Sequence, residues 1–153
     1  MPRPRLLCVD DDSGIRELYH ALFSSHGYEV VCAETPGQAL TELRSQTAPF
    51  VAVISDYEMP GMNGLQLAAI VKRSHPGLPF ILISGSPRDL AEASAMVDAT
   101  MEKGCGIREL VDGVETVLAA RVPVVTARSG YLSLGSALAG AASLAFLLSR
   151  LWP

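Results

Sequence analysis

The chain has 153 residues, 49% of them hydrophobic, and a formal net charge of −4, so it can form one domain with a sizeable core. The acidic balance argues against a nucleic-acid binder, which normally carries a basic surface. Three cysteines without a CxxC motif fit reduced thiols better than a disulfide framework or a zinc site. The first apolar run is too short for a signal peptide, so we expect the domain to lie in the cytoplasm.

Charge divides the chain into two parts. Residues 1–120 hold nine Lys and Arg against all sixteen Asp and Glu, a net charge of −7, whereas residues 121–153 hold three Arg and no acid. We therefore predict a domain at residues 1–121, a linker at 122–128 and a hydrophobic helix at 129–153.

Short apolar runs alternate five times with amphipathic segments along the first part. The runs predict strands at Leu6–Val9, Tyr28–Ala33, Phe50–Ser55, Phe80–Ser84 and Ala99–Met101. The amphipathic segments predict helices at Ser13–His26, Pro36–Gln46, Leu65–Ser74, Pro87–Val97 and Gly106–Ala120. This alternation predicts an α/β fold, a doubly wound parallel sheet with helices on both faces.

Polar side chains follow the predicted strands at their carboxyl ends, where function collects in such sheets. Asp10, Asp11 and Asp12 follow the first strand, and Asp56 follows the third. Ser84 ends the fourth strand and Lys103 follows the fifth. Clustered carboxylates repel one another, and Mg²⁺ neutralises them with oxygen ligands. With a lysine and a hydroxyl beside it, this set suits phosphoryl transfer, and one carboxylate can be the nucleophile.

Each of these residues also has a simpler interpretation. An acidic run before a helix often serves only as an N-cap, and we expect Asp12 or Ser13 to have that role. A lone Asp before a turn, such as Asp56, is usually structural, and a lone Lys, such as Lys103, is usually solvated. The joint placement at predicted strand ends favours the functional interpretation.

Four segments together resemble the receiver domain of bacterial two-component response regulators. They are LLCVDDDSGIREL, VAVISDYEMPGMNGLQL, FILISGS and MEKG, and the resemblance covers roughly residues 4–120. It implies a flavodoxin-like sheet with strand order 2-1-3-4-5. It also implies a signalling module without a DNA-binding output, which is not an enzyme beyond self-phosphorylation from a phosphodonor and slow autodephosphorylation.

The resemblance also implies roles for single residues. Asp56 is the phosphoacceptor, Ser84 bonds a phosphoryl oxygen, and Lys103 pairs with the phosphoryl charge. Asp11, Asp56 and the backbone carbonyl of Glu58 bind Mg²⁺ directly, and Asp10 holds it through water. The phosphate comes from a sensor histidine kinase or a histidine phosphotransfer protein, and the signal passes to an unidentified downstream protein.

The chain departs from the family pattern on the output face that the resemblance implies, which is formed by the predicted fourth helix, fifth strand and fifth helix, and not in the phosphorylation pocket. Gly104 follows the lysine where a proline is usual, and Thr100 stands where an aromatic residue is common. The span from Ser84 to Lys103 is short, which suggests a trimmed fourth helix. We therefore expect phosphoacceptance to be retained and the usual aromatic-coupled switch to be altered.

The tail has 21 consecutive residues without a charge, 129–149. As a helix they would be about 31 Å long, close to the hydrocarbon thickness of a bilayer. Arg121 and Arg128 precede the segment, a bias that keeps the domain on the cytoplasmic side of the inner membrane. Small residues one turn apart would also allow a homodimer. The alternatives are a helix that packs on a partner, one that lies flat on the membrane, and disorder.

Two other functions compete with the receiver hypothesis. One is a Mg²⁺-dependent phosphatase of the haloacid-dehalogenase type, with Asp10 as nucleophile and Asp12, Ser84 and Lys103 beside it. The other is a receiver-like interaction module that is never phosphorylated. The site of labelling by a small phosphodonor distinguishes them.

Overall fold

The computed structural model describes residues 1–45 and 48–121, in which five parallel strands alternate with five helices. The strands are β1 (Arg5–Val9), β2 (Glu29–Ala33), β3 (Phe50–Asp56), β4 (Phe80–Ser84) and β5 (Ala99–Glu102). The helices are α1 (Ser13–Ser25), α2 (Pro36–Arg44), α3 (Gly64–Ser74), α4 (Pro87–Ala93) and α5 (Ile107–Ala119). The sheet order is β2-β1-β3-β4-β5, so the predicted fold and strand order are confirmed. The predicted C-terminal helix and linker lie outside the described residues.

Two hydrophobic cores lie on opposite faces of the sheet. Because successive strand residues point to opposite faces, Leu6 and Cys8 of β1 enter one core, and Leu7 and Val9 enter the other. The first core contains apolar residues of α1 and α5, and the second contains those of α2, α3 and α4. Burial on both faces explains why the strands are continuous apolar runs.

Side-chain caps fix where the helices that follow β1 and β3 begin. The carboxylate of Asp12 accepts a hydrogen bond from the backbone N–H of Ile15, 3.1 Å away, so Asp12 rather than Ser13 caps α1. Asn63 and Gln66 form a reciprocal capping box at α3. The connections after β1 and β3 are therefore held close to the ends of these strands.

Helix α4 is shorter than the predicted Pro87–Val97 and ends at Ala93 after seven residues. The N–H of Asp98 donates to the carbonyl of Phe80 at 2.9 Å, which draws the chain into the sheet before β5. The backbone N–H groups of Met96 and Val97 both donate to the carbonyl of Ala93, which forms a turn after the helix. The predicted end of this helix at Val97 is therefore wrong by four residues.

The sheet has two ends that differ in chemistry. We call the end where the strands finish the carboxyl edge and the end where they start the amino edge. Asp10 and Lys103 directly follow their strands, and Asp56 and Ser84 end theirs, so all four lie at the carboxyl edge. Among the helices at residues 1–45 and 48–121, none is both long and apolar enough to cross a bilayer.

Candidate functional site

Three carboxylates converge at the carboxyl edge. One carboxylate oxygen from each of Asp10, Asp11 and Asp56 lies within 4.8 Å of the others. Asp10 and Asp56 are buried, with 1% and 2% of their surface exposed, whereas Asp11 is exposed. The site is therefore open on the Asp11 side and closed beneath Asp10 and Asp56.

Two buried oxygens in this cluster have no hydrogen-bond partner among the described residues, namely Asp10 Oδ2 and Asp56 Oδ1. The other oxygen of Asp10 accepts a hydrogen bond from the N–H of Asp12 at 2.9 Å. Buried carboxylate oxygens normally find a partner, because an unpaired charge in a protein interior is costly. The two open acceptors beside an exposed carboxylate thus fit a hard divalent cation with oxygen ligands.

Lys103 supplies a positive charge to this pocket. Its Nζ lies 2.8 Å from Asp56 Oδ2, and its side chain is 42% exposed. The backbone N–H of Lys103 donates to the carbonyl of Ser84 at 2.9 Å, so the hydrogen bonding between β4 and β5 continues as far as this lysine. Gly104 follows with φ +92°, a conformation that side chains rarely adopt, so the chain can turn away directly after the lysine.

The pocket raises the pKa values of both Asp10 and Lys103, for different physical reasons. Burial raises the pKa of Asp10 to about 6, and the carboxylates of Asp56 and Asp11 add to this rise. Burial alone would lower the pKa of Lys103, but its hydrogen bond and charge interaction with Asp56 outweigh that effect and raise it. The ammonium is therefore retained, and among the described residues it is the one cation within ion-pair distance of these three carboxylates.

Ser84 is fully buried at the end of β4, and its hydroxyl is already engaged. It donates to Asp89 Oδ2 at 3.2 Å and accepts from the N–H of Ser86 at 3.0 Å. A new acceptor in the pocket would have to compete with Asp89 for this hydroxyl. Glu58 is exposed at the rim, and its charge adds to the raised pKa of Lys103.

Sequence reasoning missed two residues that shape the site. Arg16 of α1 donates from Nη1 to the carbonyls of Asp10 at 2.8 Å and Asp11 at 2.9 Å. Gly64 starts α3 so close to β3 that a Cβ there would lie 2.1 Å from the carbonyl oxygen of Asp56. A glycine directly after the Asn63 cap was a visible signal, whereas the reach of an arginine back to the preceding loop was not.

The family model of the response regulator receiver domain matches residues 6–115. The chain belongs to the response regulator receiver family. Receiver domains serve two-component systems, in which they interact with histidine kinases or phosphotransfer proteins, and they are typically non-enzymatic signalling modules. Nothing in the comparisons favours the phosphatase or the unphosphorylated module.

Curated relatives are longer regulators. The transcriptional regulatory protein AruR of Pseudomonas aeruginosa is 34% identical over 122 residues, which are 75% of this chain and 49% of AruR. The transcriptional regulatory protein GlrR of Escherichia coli is 38% identical over 91 residues, which are 58% of this chain and 20% of GlrR. The chain thus spans half or less of the length of these relatives.

Solved receiver structures have the same architecture. The response regulator protein TrrA of Thermotoga maritima, solved in complex with Mg²⁺-BeF, is 30% identical. It aligns with a TM-score of 0.69 over 74% of this chain and 98% of TrrA. A signal receiver domain of an HD domain-containing protein from Pseudomonas fluorescens is 27% identical with a TM-score of 0.72, over 79% of this chain and 90% of that one.

Proposed function

We propose that this receiver domain accepts a phosphoryl group on Asp56 in a two-component phosphorelay. The supporting observation is the pocket in which a buried Asp56, with one open oxygen, lies between two further carboxylates and the Lys103 ammonium. The donor is the phosphohistidine of a sensor kinase or a phosphotransfer protein. The signal then passes through protein–protein contacts to a downstream protein, and DNA is not a partner of this acidic domain.

The reaction is a direct transfer between two side chains. An Asp56 carboxylate oxygen forms the new O–P bond while the N–P bond to the donor histidine breaks, and the histidine leaves with its electron pair. Lys103 pairs with the charge of the incoming group, because its Nζ already lies at the Asp56 carboxylate. Ser84 donates to a phosphoryl oxygen after its hydroxyl turns from Asp89.

Mg²⁺ fits the acidic side of the pocket, since two buried oxygens there are unpartnered. Asp11, Asp56 and the backbone carbonyl of Glu58 would bind it directly, with Asp10 acting through a water molecule. Its chemistry would be to offset the clustered negative charge and to bind phosphoryl oxygens. The Mg²⁺-BeF complex of the relative TrrA supports this assignment.

Labelling with a small acyl phosphate donor and Mg²⁺ tests the proposal. We expect a single acyl phosphate on Asp56, located by borohydride reduction and peptide mass spectrometry, and no label in Asp56→Asn. Asp12→Asn is the matched control, because Asp12 lies in the same acidic loop but caps α1. Label on Asp10, or turnover of phosphomonoesters, would support the phosphatase instead. Absence of label, with Asp56→Asn signalling normally in cells, would support the unphosphorylated module.

We also propose that residues 129–149 attach the domain to the cytoplasmic face of the inner membrane. The uncharged length and the preceding Arg121 and Arg128 support this. Membrane fractionation of the full chain against a version ending at Arg121 tests it. We expect only the full chain in the membrane fraction, and recovery of both in the supernatant would contradict the anchor and favour a partner-binding tail.

A further inference from the structure

One arginine satisfies three consecutive carbonyls of the acidic loop between β1 and α1. The guanidinium of Arg16 donates from Nη1 to the carbonyls of Asp10 at 2.8 Å and Asp11 at 2.9 Å. The backbone N–H of the same residue donates to the carbonyl of Asp12 at 3.1 Å. The last of these is the first α-helical bond of α1 and does not depend on the side chain, so the guanidinium itself holds the carbonyls of Asp10 and Asp11.

The carboxylates themselves stay free of the arginine. Among the described residues, the only carboxylate within ion-pair distance of Arg16 is Glu34, at 3.9 Å, which lies outside the pocket. An arginine paired directly with Asp10 or Asp11 would occupy the oxygens that a cation needs. By binding the carbonyl oxygens instead, Arg16 leaves the Asp10 carboxylate free to join the cluster, and its buried Oδ2 has no partner within the described part of the chain.

The position of Arg16 is itself fixed. Its side chain is 19% exposed, and its carbonyl accepts a hydrogen bond from Cys32 Sγ of β2 at 3.5 Å. The acidic loop is thereby connected through α1 to the neighbouring strand. Three adjacent carboxylates repel one another, which favours a more open loop, and the bound guanidinium opposes that opening.

We infer that Arg16 is a positioning residue for the divalent-cation site, which it orders by holding the Asp10 and Asp11 carbonyls so that their carboxylates converge with Asp56. The inference rests on the proposed function. The carbonyl group and the side chain of a residue are attached to the same Cα, so fixing the carbonyl limits the positions that the side-chain carboxylate can reach. Residues that orient metal ligands in this way commonly change metal affinity 10- to 100-fold when they are replaced.

The test is Mg²⁺ binding measured by isothermal titration calorimetry on the full chain. We expect Arg16→Met to weaken the Kd for Mg²⁺ by about 10-fold or more. Arg16→Lys should give an intermediate loss, because an ammonium lacks the planar fork that reaches two carbonyls at once. The lysine variant also keeps the test valid if the methionine variant does not fold.

Arg5→Met is the matched control. Arg5 also donates to a backbone carbonyl, that of Ala48 at 2.7 Å, and pairs with Glu29 at 2.9 Å, but it lies at the amino edge. We expect the control to retain the Kd of the unaltered protein. Equal losses in the Arg5 and Arg16 variants would mean general loosening of the fold and would overturn the inference.

Asp56 labelling separates this inference from the proposed function. With saturating Mg²⁺, the labelling rate of the Arg16 variants should return towards that of the unaltered protein, because Arg16 acts through the metal site. A rate that stays low at saturation, or an unchanged Mg²⁺ Kd in Arg16→Met, would overturn the positioning role while the unaltered protein still labels at Asp56. Failure of the unaltered protein to bind Mg²⁺ and to label would overturn the proposed function itself.

Discussion

The two edges of the sheet treat acidic side chains in opposite ways. At the amino edge, Asp98 accepts hydrogen bonds from Lys72, from Arg121 and from the N–H of Phe80. At the carboxyl edge, Lys103 pairs with Asp56 alone of the three carboxylates, and two buried oxygens have no partner within the described part of the chain. The first arrangement stabilises the domain, whereas the second leaves binding capacity open at a cost in stability.

The pKa values of Asp98 and Asp10 express this contrast. Burial tends to raise both, but at Asp98 the hydrogen bonds from Lys72, Phe80 and Arg121 outweigh burial and lower the pKa. At Asp10 burial dominates and the pKa rises to about 6. Ionisation of Asp98 therefore favours folding, and ionisation of Asp10 opposes it.

The largest expected effect is on stability, from removing the carboxylate of the amino edge. Asp98→Ala should lower the free energy of unfolding by about 3 kcal/mol, because it removes the carboxylate that accepts from two cations and leaves the buried N–H of Phe80 without its acceptor. Urea denaturation measures this change. Asp112→Ala, at an exposed acid of α5, should change the value by less than about 0.5 kcal/mol.

The Asp98→Ala substitution should not affect phosphorylation of Asp56. Labelling of Asp56 in Asp98→Ala, measured well below the urea midpoint, should match that of the unaltered protein, since the carboxyl edge is untouched. A strong loss of labelling in the folded variant would show that the two edges are coupled. It would contradict the division between an amino edge that stabilises the domain and a carboxyl edge that binds.

Much of the carboxyl edge could be predicted from the sequence. Apolar runs locate the strands, and parallel strands bring their carboxyl ends together, so residues as distant as Asp10, Asp56 and Lys103 could be grouped without coordinates. The predicted helix bounds were correct to within a few residues except at α4. Its end depends on Asp98 joining the sheet, a tertiary contact that the local pattern does not encode.

The amino edge could not be predicted in the same way. Lys72 lies at the end of α3 and Arg121 follows α5, and they meet Asp98 only because both helices finish at this edge. Their sequence separations from Asp98 follow no periodic rule. Arg16 escaped prediction for a similar reason, since a long side chain on an amphipathic helix is usually solvated.

The second prediction concerns how stability depends on pH without Mg²⁺. Because the folded pKa of Asp10 is about 6, the folded protein binds more protons than the unfolded chain between about pH 4 and 6. The contribution of Asp10 to the free energy of unfolding should therefore fall by about 2 kcal/mol as pH rises through this window. Urea denaturation in the presence of a chelator, at several pH values, measures the slope.

Asp10→Asn provides the comparison for this slope. The variant keeps the shape of the side chain but does not titrate, so the decrease between pH 4 and 6 should disappear, and the variant should be the more stable protein above pH 6. An identical pH profile in both proteins would show that Asp10 is not the group that opposes folding, and the contrast with Asp98 would fail.

The smallest expected effect comes from two glycines, one at each edge. Gly27 precedes β2 with φ +91° and Gly104 follows Lys103 with φ +92°, and a Cβ at either position would meet no atom of residues 1–45 and 48–121 within 4 Å. Alanine should therefore cost about 1 kcal/mol at both, through backbone strain alone. Only Gly104→Ala should also slow Asp56 labelling, because straightening that turn displaces the lysine beside Asp56. Urea midpoints and labelling rates measured on both variants check this prediction. A labelling defect of equal size in Gly27→Ala would mean that lost stability, rather than the position of Lys103, limits phosphorylation.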